Sequence, residues 1–199
     1  YFRVVKFSPT GSILSMFGQE GKEPGRFFWP CAIAVDRDGT IFTAEYGGHD
    51  RIQIWSGQGV RLGGWGQMGE APGQFMRPAG LALGPDGLLY VADAANHRIQ
   101  VFTRGGRLVR CWGSMGEAPV QFLYPYGIAL DVAGRVYTVE YGGHRVQRFT
   151  AEGAPQAAWG RMSGDETGLK QPWGIDVTAD GTVFVADTYN GRVVRVPSL

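Results

Sequence analysis

Long apolar runs are missing from this sequence, and so is any concentration of positive charge. No segment approaches the ~20 apolar residues of a membrane-crossing helix, and the first residues do not read as a signal peptide. Nineteen Lys and Arg stand against eighteen Asp and Glu, a net of +1. A domain that tracks phosphates carries a clustered basic excess, and none is present, so nucleic acid is a disfavoured partner. Cysteine is down to Cys31 and Cys111, in different sequence surroundings. Two such residues build neither a disulfide framework nor a metal knuckle, and both read as packing residues. Stretches with a helical period are absent too.

What fills the space is glycine, 32 of 199 residues, and aromatics at 13%, a balance suited to packed sheets joined by tight turns. The chain repeats. Pro78, Pro125 and Pro172 are spaced 47 residues apart and Pro30 lies 48 before Pro78. Each period holds four short strand-like runs, the mark of a β-propeller or a similar array. Full units run over 30–77, 78–124 and 125–171. The opening 1–17 reads as the back half of a unit and 172–199 as the front three strands. The sum is seventeen strands in about four blades, all-β, one domain over 1–199.

Turn chemistry recurs in a fixed order. Strands one and two join at Asp38-Gly39, Asp86-Gly87, Ala133-Gly134 and Asp180-Gly181, and Asp-Gly is a strong hairpin signal because Gly supplies positive φ. Strands three and four turn at Gly11, Gly59, Gly106 and Gly153. Strand one carries small residues in register, Ala32, Gly80, Gly127 and Gly174, as convergence on a propeller axis requires. Strand two carries the bulky Phe42, Tyr90, Tyr137 and Phe184, with an alternating pattern. Between blades runs a loop of constant length with an apolar residue at one register, Phe27, Phe75, Phe122 and Leu169, expected to pin it. The last loop departs most, gaining Asp165, Glu166 and Lys170.

Gly80, Leu81, Asp86, Gly87, Tyr90, Asp93, Asn96, His97, Arg98, Gln100 and Phe102 resemble the NHL repeat, as do Gly127, Asp131, Tyr137, His144, Arg145, Gln147 and Phe149. The resemblance covers nearly the whole chain. It implies a β-propeller of four-stranded antiparallel blades, in that family commonly of six blades and sometimes five or seven. About four are present, and because the chain starts and stops within a blade it is expected to be part of a longer five- to six-bladed propeller. Functionally the resemblance spans scaffolds, RNA-binding modules and lyases.

Recurring residues read as structural. His49, His97 and His144 fall in the turn between strands two and three, too far apart for one zinc and expected to bond their own turns. Acid–arginine pairs, Asp93 with Arg98, Glu140 with Arg145, Asp187 with Arg192 and Glu45 with Arg51, are expected to face each other across the same turn. No catalytic residue, metal ligand or cofactor site is read from these patterns.

Residues that break the symmetry point to function instead. Around the loop proline and just after the strand-two acid stand Trp29, Tyr46, Arg77, Tyr124, Tyr126, Tyr141, Trp173 and Tyr189, an aromatic rim of the kind that anchors interfaces. Asp176 replaces the alanines Ala34, Ala82 and Ala129, which places a carboxylate near the central channel. The reading favoured is a non-catalytic scaffold or binding module presenting one loop face to a protein partner or small ligand, as a member of a larger assembly. A lyase or hydrolase with its site in the funnel is the alternative, and single-stranded RNA binding the second. The absent initiator Met is the sole support for expecting a bacterial, periplasmic or extracellular protein.

Overall fold

The computed structural model describes residues 2–165, 167–197 and 199; Glu166, one of the charges that set the last loop apart, lies outside them. Three four-stranded meanders stand in the middle of the chain. The first is β3 (Pro30–Val35), β4 (Ile41–Glu45), β5 (Arg51–Trp55) and β6 (Arg61–Trp65). The second is β7 (Pro78–Leu83), β8 (Leu89–Asp93), β9 (Arg98–Phe102) and β10 (Leu108–Trp112), and the third is β13 (Pro125–Leu130), β14 (Val136–Glu140), β15 (Arg145–Phe149) and β16 (Pro155–Trp159). A hairpin of β1 (Val4–Phe7) and β2 (Ile13–Phe17) precedes them. A three-stranded sheet of β17 (Gly174–Val177), β18 (Val183–Asp187) and β19 (Arg192–Arg195) follows. The expected seventeen blade strands are there. Two more, β11 (Ser114–Met115) and β12 (Gln121–Phe122), pair in parallel inside a loop.

The blades fan around an axis. The first strand of each full blade lies against its neighbours, β7 against β3 and β13, and β13 against β17. Gly80 shows why small residues recur there. A Cβ at this position would sit 2.5 Å from the Tyr126 carbonyl oxygen of the next blade, so a side chain would force the strands apart.

The apolar core lies between blades. One cluster joins Phe42, Ala44 and Ile52 to Leu81, Leu89 and Phe102, and the next joins Tyr90, Ile99 and Val101 to Ile128, Val136 and Phe149. Strand two is therefore covered on both faces. All five residues of β4, β8 and β14 are buried, so their alternation is one of size and polarity and not of exposure. Phe184 differs from its buried counterparts Phe42, Tyr90 and Tyr137, since β18 has no described blade beyond it and the residue is 38% exposed. Strand one of the last sheet likewise begins at Gly174, not at Pro172.

Each inter-blade loop is clipped in one way. Phe27, Phe75, Phe122 and Leu169 are fully buried, as expected of pins, and each closes a parallel bridge with the start of its own loop. The polar half of the clip is the strand-two acid. Glu45, Asp93, Glu140 and Asp187 are buried and accept hydrogen bonds from the loop amides of Phe28, Met76, Leu123 and Lys170 at 2.7–2.8 Å. Arg51, Arg98, Arg145 and Arg192 pair with the same carboxylates, as the sequence pattern anticipates. Each guanidinium also donates to carbonyls of the loop, Arg98 to those of Glu70, Ala71 and Gln74. Gln53, Gln100 and Gln147 complete the network between acid and loop. Burial pushes the Asp93 and Glu140 carboxyls above their ordinary range, and these donors pull the other way.

Removing one acid strands several donors in a dry site, which costs far more than the pair contributes against a neutral reference. Asp93→Ala should therefore lower unfolding free energy by about 3–5 kcal/mol, measured by urea denaturation.

Candidate functional site

The loops and the turns between strands two and three share one face. Backbone hydrogen bonds tie them, from Tyr46 N–H to Trp29 O, Ala94 N–H to Arg77 O, Tyr141 N–H to Tyr124 O and Tyr189 N–H to Lys170 O. Two of the turns are single 3-10 turns, Ala94–Asn96 and Thr188–Asn190.

The residue before each loop proline has left-handed backbone. φ is 48° at Trp29, 57° at Arg77, 54° at Tyr124 and 44° at Gln171. Glycine takes this region freely, whereas a residue with a Cβ pays about 1 kcal/mol or more. The turn is imposed by the fold, yet none of the four positions holds glycine.

A residue from the preceding turn props three of these positions. His97 Nδ1 accepts from Tyr124 N–H at 3.2 Å and His144 Nδ1 from Gln171 N–H at 3.0 Å. In the first unit Asp50 takes the role, accepting from Arg77 N–H at 2.5 Å. The histidines thus support the neighbouring loop, which corrects the expectation that they bond their own turns. His49 is also out of register. The turn before it carries an extra residue, so Asp50 occupies the place of His97, and the His49 ring sits edge-on to Phe28 at 5.6 Å. Among the described residues no group of three or more His, Cys, Asp and Glu side chains is placed to hold a metal ion.

Seven of the nine symmetry-breaking residues come together in one arc. Trp29 and Tyr46 lie 5.8 Å apart between ring centroids. At the other end Tyr126 stacks on Tyr141 at 4.9 Å and 20°, with Trp173 edge-on to Tyr126 at 6.0 Å and Tyr189 edge-on to Tyr141 at 6.4 Å. The middle blade offers Ala94 where its neighbours carry Tyr46 and Tyr141, and Ala79 where the next blade carries Tyr126. Arg77 fills that gap, its guanidinium 5.2 Å from the Tyr46 centroid and 4.9 Å from that of Tyr126. Two aromatic groups become one surface through a cation–π contact on each side.

Exposure divides the arc into support and rim. Tyr126 is 9% exposed, while Trp29 (52%), Trp173 (51%) and Tyr189 (55%) face solvent. Burial holds the Tyr126 hydroxyl above its usual range, with Arg77 pulling it down. The Tyr141 hydroxyl is raised chiefly by its hydrogen bond with Tyr189.

Two candidates fall elsewhere. Tyr124 packs on His97 at 4.6 Å. Asp176 is exposed on β17, opposite Phe184, with Oδ1 accepting from Val177 N–H. Sequence reasoning missed Phe2, whose ring meets Trp29 edge-on at 6.5 Å. It also missed Asp50 as a prop. The signal was a constant offset: Phe2 to Trp29, Asp50 to Arg77, His97 to Tyr124 and His144 to Gln171 are all separated by 27 residues. Cys31, exposed at the surface, turns its Sγ towards the carbonyls of Pro78 and Ala44, and desolvation pushes its thiol up to about 12.

The NHL repeat model matches residues 75–102, 122–149 and 169–196, each window running from the loop pin to the end of strand three. No curated protein matches the sequence. Among solved structures, virginiamycin B lyase from Staphylococcus aureus is similar at 18% identity with a TM-score of 0.59, over 85% of this chain and 56% of that one. A streptogramin B lyase is similar at 18% identity and 0.63, over 92% and 69%. The WD40 repeats of RRP9 are similar at 16% identity and 0.60, over 84% and 50%. The chain thus spans little more than half the length of the first of these. At such identities the likeness shows the propeller fold.

The histidine props carry a pH dependence. Each Nδ1 must be unprotonated to accept, and desolvation lowers the values of His97 and His144 below the ordinary 6.5. The unfolded chain then binds more protons between its own His value and the lower folded one. Stability should be level above pH ~6.5, fall as pH drops through that window, and level off below it. Denaturation midpoints between pH 8 and 5 check this, and the His97→Asn, His144→Asn double variant should flatten the slope.

Proposed function

We propose that this chain, which belongs to the NHL-repeat β-propeller family, is a non-catalytic binding module that presents its loop face to a protein partner within a larger assembly. The arc from Trp29 through Arg77 to Tyr189 carries the reading. Large rings exposed at its rim and seated on a buried one are the composition that interface anchors take. The face is also rigid, because every loop that contributes to it is clipped to a buried acid. A preorganised surface spends little ordering free energy on association.

The lyase reading draws on the fold neighbours. It calls for titratable groups converging on the axis, and the one candidate, Asp176, is exposed with its carboxylate bonded to the adjacent amide. The buried carboxylates of the loop face already serve arginines and backbone amides.

Substitutions in the arc separate binding from stability. Trp173→Ala removes a ring that is half exposed, so the melting temperature should move little. Capture of the partner, by cross-linking or by pull-down from cells of the source organism, should fall at least about tenfold in Trp173→Ala and Tyr126→Ala together, the loss of a hot-spot pair. Normal capture by both variants would remove the arc from the interface.

A further inference from the structure

We propose that the loop face docks an acidic, extended segment of its protein partner, with Arg77 receiving a carboxylate and the rings on either side receiving proline or aromatic side chains. This rests on the binding reading above and specifies what that face selects.

Charge is the first support. Arg77 is exposed and makes no ion pair among the described residues, whereas Arg51, Arg98, Arg145 and Arg192 all do. The carboxylates buried beneath this face are committed. Glu45, Asp93, Glu140 and Asp187 hold their arginines, and Asp50 is buried, accepting from the Gly48 and Arg77 amides. Lys170, exposed beside Tyr189, adds a second cation with no ion pair among the described residues. Arg77 and Lys170 are thus exposed cations of this face that no described carboxylate pairs with.

Geometry is the second. The Arg77 guanidinium is flanked by two rings and so is held in place before any ligand arrives, with its donors free to grip a carboxylate in a two-pronged contact. Steps along the arc are 4.9–6.4 Å, and its rim is open. At ~3.3 Å per residue, an extended segment of no more than about eight residues covers it. Proline in polyproline II conformation suits such aromatic surfaces at little entropic cost.

Backbone is the third. At φ 57° glycine would relieve strain, yet the position holds arginine. Trp29, Tyr124 and Gln171 share that strain, so what sets Arg77 apart is the charge it places at this register. Two cations do not supply the phosphate contacts that a nucleic-acid strand needs, which separates this partner from single-stranded RNA.

A random eight-residue peptide library on phage, selected at low salt against the whole chain, tests the proposal. Wild-type selections should enrich Asp or Glu next to Pro, Tyr, Phe or Trp. Selections on Arg77→Gln should keep the ring preference and lose the acidic excess. The enriched peptide should bind Arg77→Gln at least about tenfold more weakly and should weaken with added salt. Arg77→Gly should lose binding equally while melting no lower than wild type, which a structural role for the arginine would not allow. Enrichment of peptides without acidic residues, or an acidic excess indifferent to Arg77→Gln, overturns the proposal and leaves the binding module standing. No enrichment on wild type overturns both. Retention of a labelled oligouridine that the selected peptide fails to displace overturns it in favour of nucleic acid.

Discussion

A buried carboxylate at the end of the second strand is the constraint on which the rest of this molecule depends. An ion pair in a dry site is a poor source of stability, because desolvation consumes most of the attraction, and well-packed apolar residues often do as well. Here the acid cannot be exchanged in that way. Asp93 accepts at once from Arg98, Gln100, Asn96 and the Met76 amide, and through Arg98 and Gln100 it fixes the carbonyls of Glu70, Ala71 and Gln74. The loop's own backbone polar groups are among its partners. An apolar substitute would leave the Met76 amide without a partner and Arg98 and Gln100 without their anchor. The network recurs from blade to blade with the loop conformation that it creates.

That repetition makes a symmetrical frame out of which asymmetry can be read. The frame sets a left-handed residue before each loop proline, a prop 27 residues upstream, and open registers on either side. What fills those registers is free of the frame's demands. In three blades the prop is Asp50, His97 and His144 and the propped residue Arg77, Tyr124 and Gln171, while at the same offset Phe2 meets Trp29 ring against ring. Each pair solves the same steric problem with a different surface. Variation at fixed backbone is how one scaffold acquires a specific face.

Much of this was legible beforehand, for physical reasons that differ by residue. Spacing of the prolines and the Asp-Gly hairpins exposed the blades, because turn chemistry is local and repeats. Phe27, Phe75, Phe122 and Leu169 could be recognised as pins, since one apolar residue in a polar loop has few other uses. The acid–arginine pairs followed from strand register. The histidines were misjudged because their partners lie in the next unit, across a blade boundary that no local pattern encodes. Asp50 was hidden by the extra residue in its turn, which shifted His49 into false alignment. Tyr124 and Tyr126 look equivalent in sequence, two rings flanking one proline, but Tyr124 packs on His97 of the preceding blade while Tyr126 joins the arc.

Arg77 ties these strands of reasoning together. The middle blade lacks rings at both open registers, so without this side chain Trp29 and Tyr46 would be separated from Tyr126, Tyr141 and Trp173. A leucine there could bridge the gap as an apolar contact. A guanidinium bridges it differently, because the faces of Tyr46 and Tyr126 attract it electrostatically while its edge still presents N–H donors outward. Rings on both sides hold the exposed guanidinium in one place, so its N–H edge is oriented in advance, which a solvated lysine is not. The same two contacts that make the arc continuous also give it a sign.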